Sequence, residues 1–152
     1  MTEAIFRKRT LLFLFLLSII LNVNAQEKEK FYSDGYYFSQ QEIKIKNWKF
    51  SWLSIFIKPS ENNKPYVSLR LLDSQSGKFI NIGSHKYSIT KDNTAILFSS
   101  KLVGEISITG RYTISKPPFD NKEIKENTIV FIGDLSIDKS VYPIKFTWSE
   151  GD

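Results

Sequence analysis

The chain has 152 residues, 21 of them basic and 16 acidic, for a formal charge of +5, with no cysteine and a single histidine. Disulfides and thiolate chemistry are therefore impossible, and one histidine is too few for a zinc or copper centre. Many lysines alternate with apolar residues, as in EIKIKNWKF, which is the pattern of a solvated strand face; nucleic-acid binding would want them clustered.

The first element is a signal. Arg7-Lys8-Arg9 precedes an apolar run from Leu11 to Leu21 that only Ser18 interrupts. That is the length of a secretory signal core and roughly half of what a membrane-spanning helix needs. Val23 and Ala25 fit the small-residue positions of a signal peptidase, which places the cut after Ala25. Residues 1–25 thus read as a cleaved signal peptide, with Gln26 at the new N-terminus and no membrane span left. The destination is the periplasm or the extracellular space. Cleavage leaves 127 residues with 18 basic and 15 acidic side chains, one domain of charge +3. The intact mass of the exported protein is expected to begin at Gln26; a mass that retains Met1 to Ala25 would contradict this.

Residues 26–35 read as a flexible polar and aromatic segment ahead of an all-β domain over 36–152. The stretch FYSDGYYF, residues 31–38, gathers aromatics around an Asp-Gly turn. Strict alternation points Tyr37 away from Tyr36 and Phe38. In NWKFSWLSIFIK the same rule sets Trp48, Phe50 and Trp52 on one apolar side, which makes all three core, as it does Trp148. Residues 59–65 are a loop between two prolines, and Tyr66 to Leu72 is a strand. Asp73 to Gly77 is a turn. Shorter strands follow at Phe79 to Ile82, Tyr87 to Thr90 and Ala95 to Ser99, with turns at Gly83-Ser84 and Lys91 to Asn93.

Glu105 to Ser115 is the clearest strand. Ile106, Ile108, Tyr112 and Ile114 share one side with Gly110, which marks a bend or bulge, or a place where another side chain crosses. Lys116 to Lys122 is an irregular loop around Pro117, Pro118 and Phe119. At most a single helical turn fits near Asn121 to Glu126. Two last strands, Ile129 to Ile137 and Tyr142 to Trp148, flank a hairpin turn at Asp138 to Ser140. Pro143 cannot donate to a ladder, so it belongs at an edge, a bulge or a strand start.

About eight or nine antiparallel strands with one apolar side must close on something. A β-sandwich is the first expectation and a closed, lipocalin-like β-barrel the alternative. Chemistry is sparse. His85 reads as a turn residue beside Ser84, without a Gly-x-Ser-x-Gly elbow. Asp73, Asp92, Asp120 and Asp134 follow no calcium-loop spacing. Asp134 falls on the polar side of its strand. No catalytic, cofactor or metal residue is assigned.

The remaining lead is partner binding through Tyr32, Tyr36, Tyr37, Pro117, Pro118 and Phe119, since tyrosine offers large rigid area with a hydroxyl. The chain reads as an exported, non-catalytic domain whose partner is an envelope protein, a glycan or a small apolar ligand. Two alternatives are an inhibitor or immunity protein against a toxin or wall hydrolase, and a hydrolase built on two carboxylates.

Overall fold

The computed structural model describes residues 31–59, 64–121, 124–137 and 140–151. The expected signal peptide lies outside them, as do residues 26–30 and Asp138-Lys139 of the last hairpin turn. Period-two patterning becomes nine strands among the described residues. They are β1 (Gly35–Ser39), β2 (Lys44–Ile45), β3 (Trp48–Phe56), β4 (Tyr66–Asp73), β5 (Phe79–Ile89), β6 (Thr94–Ser100), β7 (Gly104–Tyr112), β8 (Phe131–Ile137) and β9 (Ser140–Ser149). One 3-10 turn, Pro118–Asp120, is the helical content of these residues.

All pairings are antiparallel, and from β3 to β9 each strand pairs with the next. β1 then joins the two ends. Tyr36 pairs with Ser149 of β9 on one side and with Ser54 of β3 on the other. Eight strands therefore close into a barrel, and β2 lies beside the first part of β3. The expected sandwich is corrected to the barrel. The cause is β1, whose backbone pairs on both sides. Two separate sheets would have left it one unpaired margin, and closure removes that exposure.

Two strands depart from strict alternation. β3 carries a bulge between Phe50, opposite Leu71, and Trp52, opposite Arg70. The extra residue, Ser51, reverses the parity of everything after it. Leu53 and Ile55 point inward and are buried, while Trp52 turns outward. β5 carries another bulge between Ser84 and Lys86. The turn expected at Gly83-Ser84 is therefore the middle of one long strand, and His85 is its extra residue.

The barrel interior is lined by buried apolar side chains. An aromatic column runs along it: Phe50 stacks on Phe146 at 5.3 Å and Phe146 on Phe131 at 5.7 Å. Tyr112 meets Phe131 edge-on at 5.3 Å and Phe31 at 4.6 Å. Leu69, Leu71, Ile96, Ile108 and Leu135, none of them accessible to solvent, are buried in the same core. Eight strands enclose just enough width for such filling.

Each end is closed by chain. The β1–β3 connection buries Ile43 and Ile45 in the core cluster that also holds Val103, and Lys46 Nζ donates to the Val103 carbonyl at 3.2 Å. At the other end, residues 31–34, expected to be loose, are held by specific bonds. Tyr37 donates to the Ser33 carbonyl at 2.6 Å, and the Trp148 indole N–H to that of Asp34 at 2.9 Å. The Asp34 carboxylate accepts the backbone N–H of Ile57 and Lys58.

Gly110 and Gly133 face each other across β7 and β8. A Cβ on Gly133 would sit 2.0 Å from the Thr109 carbonyl oxygen; on Gly110 it would sit 2.6 Å from Phe131 Cζ. At this close approach the Phe131 ring crosses over Gly110, and the β7–β8 register carries no bulge. Gly133→Ala should therefore cost about 1–3 kcal/mol, read as a lower denaturation midpoint. An unchanged midpoint would contradict the approach. Pro143 sits opposite Asp134 on β9, past Phe146, where β1 pairing stops, so its missing N–H costs no ladder bond to β1.

Candidate functional site

The outward side of β1, β3, β4 and β5 carries an aromatic strip. The bulge at Ser51 supplies Trp52, and Phe56 follows on the same side. Tyr36 approaches Trp52 at 6.2 Å and Phe56 at 5.3 Å. Phe56 stacks on Tyr66 at 5.1 Å, and Phe79 lies 6.2 Å from Trp52. Phe38 flanks Trp52 at 6.1 Å. Phe38, Tyr66 and Phe79 are 37%, 46% and 46% exposed, well above what a covered sheet face would leave.

Arg70 stands within this strip. Its guanidinium lies 4.3 Å from the Trp52 ring centre and 4.2 Å from that of Phe79. Two rings thus fix its plane. Its Nε is buried without a hydrogen-bond partner, and no carboxylate pairs with it among the described residues. Burial raises the Tyr66 phenol pKa, helped by Tyr36 and the Asp34 charge, so Tyr66 presents a neutral hydroxyl at ordinary pH.

The residues singled out from sequence scatter. Tyr36 is part of the strip. Tyr37 is buried, with its hydroxyl bonded to Ser33, and is a core residue. Tyr32 is half-buried. Pro117 is half-buried, Pro118 is buried, and Phe119 is 47% exposed with the Lys58 ammonium 5.2 Å above its ring. Trp48 and Trp148 pack against the core as expected, whereas Trp52 does not.

Trp52, Phe56, Tyr66, Arg70 and Phe79 were missed. For Tyr66 and Arg70 a signal existed, because they alternate with Val67, Leu69 and Leu71, which face inward. Nothing in the sequence announces the bulge that turns Trp52 outward.

Other chemistry is thin. His85 is an exposed bulge residue. Asp92 and Asp134 line an open depression of about 810 Å³ with Arg111 and Lys145, and both carboxylates are exposed. Among the described residues no group of three or more His, Cys, Asp or Glu is placed to hold a metal ion. Comparison with family models, curated proteins and solved structures finds no match to this chain.

Proposed function

We propose that the chain is an exported, non-catalytic β-barrel that docks a protein partner of the cell envelope through the aromatic strip around Arg70. The strip itself carries this reading. Tyr, Trp and Arg are the residues that dominate binding energy at protein interfaces, and contiguous exposed apolar patches on a soluble fold mark such surfaces. An inhibitor of a toxin or wall hydrolase would be a special case, since its target is also a protein.

Two other partner classes receive less support. A glycan stacks its C–H groups on open ring faces. Here the faces of Phe56 and Tyr66 are turned to each other, and those of Trp52 and Phe79 to Arg70. A small apolar ligand would need the space that Phe50, Phe131 and Phe146 fill. A two-carboxylate hydrolase wants a desolvated acid, and Asp92 and Asp134 are exposed.

The test is capture of a partner from envelope extract, followed by a measured Kd. Trp52→Ala should weaken binding by roughly 30-fold, about 2 kcal/mol, with the fold unchanged, because the ring lies outside the barrel. Equal binding by wild type and a Trp52→Ala, Tyr66→Ala, Phe79→Ala combination would refute the proposal.

A further inference from the structure

We propose that Arg70 is the anchor for a carboxylate on the docked partner, so that the strip recognises an Asp or Glu set among apolar side chains. This rests on the strip being the docking surface and adds what the partner must present.

Charge complementarity carries the inference. Among the described residues, the acids nearest the strip in the chain are already engaged by the protein's own donors. Asp34 accepts the backbone N–H of Ile57 and Lys58, Glu42 pairs with Lys49 at 2.6 Å, and Asp73 accepts from Gln75 and Ser76 in its own turn. Among the described residues Arg70 is left with two rings and no anion. Exposed Lys64 and Lys78 adjoin the strip in sequence, just before Tyr66 and Phe79.

The chemistry favours a carboxylate within an apolar segment over a free charged surface. Guanidinium is planar, weakly hydrated and able to hold both oxygens of a carboxylate at once. Stacked between Trp52 and Phe79 it is pre-ordered, so little side-chain freedom is lost on binding. The flanking rings exclude water and want apolar neighbours. A lysine here would offer charge without the plane.

The test uses twelve-residue random peptides displayed on phage and selected on the purified protein. A selected peptide is then synthesised with its acidic residue intact and as the amide. Apolar peptides with an Asp or Glu should be enriched, and the amide form should bind at least 10-fold more weakly to wild type. Arg70→Gln should erase that difference, and Arg70→Lys should restore only part of it. The peptide's own substitution keeps the test valid if an Arg70 variant folds poorly.

Apolar peptides that lose affinity on Trp52→Ala but gain nothing from their acid would overturn the carboxylate anchor while leaving the strip as a docking surface. Peptides indifferent to both Trp52 and Arg70, or no enrichment at all, would overturn both. Arg70-dependent binding to phosphatidylglycerol vesicles without peptide selectivity would overturn the inference in favour of a lipid surface. So would a dimer of wild type that Arg70→Gln dissolves.

Discussion

Truncating Phe146 to Ala should remove about 3–5 kcal/mol of stability. The ring is fully buried, stacked between Phe50 at 5.3 Å and Phe131 at 5.7 Å. Removing it breaks the column at its middle. The hole cannot collapse cheaply, because the strands around it are bonded on both sides into a closed ring. The backbone at Phe146 pairs with Phe131 on β8 and Ser39 on β1, and its carbonyl accepts the Val130 N–H at 2.9 Å. Domains of this size have about 5–15 kcal/mol in hand, so the variant would sit near the edge of folding. Urea denaturation measures the effect as a lower midpoint at unchanged slope. Val141→Ala, at a site 61% exposed, serves as the control and should move stability by less than about 0.5 kcal/mol. A loss at Phe146 no larger than the control's would contradict the filled interior.

Alkali should destabilise the protein through two buried phenols. Tyr112 donates to the Tyr37 hydroxyl at 3.3 Å, and Tyr37 to the Ser33 carbonyl. Burial pushes Tyr112 up to about 12 and Tyr37 well above its ordinary value, the Tyr112 charge adding to the latter. Below pH 10 both phenols are protonated in the folded and the unfolded chain, and the full stability is present. Above it the unfolded chain releases protons that the fold retains, so stability falls as pH rises. The slope is about 1.4 kcal/mol per pH unit for each tyrosine. Tyr112 contributes until its folded value near 12 is reached, on the order of 3 kcal/mol in all. Urea midpoints should therefore decline steeply between pH 10 and 12, and Tyr112→Phe should flatten the decline by about half. Identical slopes for the two proteins would argue against a desolvated Tyr112.

The strands were legible because parity is a local property. Ile106, Ile108 and Tyr112 face inward as their spacing dictates, and so do Leu135 and Ile137. Closure was not legible, because a sandwich and a barrel need the same alternation. What separates them is one short strand, β1, that pairs with residues distant in sequence. The strip was lost to a single residue. Before Ser51 the alternation counts correctly, with Phe50 inward; after it every position is reversed. A serine in a strand carries no mark of a bulge, so Trp52 read as core. Tyr66 and Arg70 could have been recovered from their own strand, but their meaning depends on Trp52 and Phe79 lying alongside.

The seam between β1 and β9 has a cost in time. It joins Tyr36–Ser39 to Phe146–Ser149, nearly the whole length of the domain apart, whereas the other ladders link close neighbours in sequence. Until β9 arrives, β1 has one margin bare and β8 lacks its neighbour, so an incompletely synthesised chain offers ready templates for β-aggregation. Such distant pairing makes for slow folding. Refolding yield should thus fall with protein concentration even where the finished barrel is durable, and cells that make it have reason to keep the nascent chain attended.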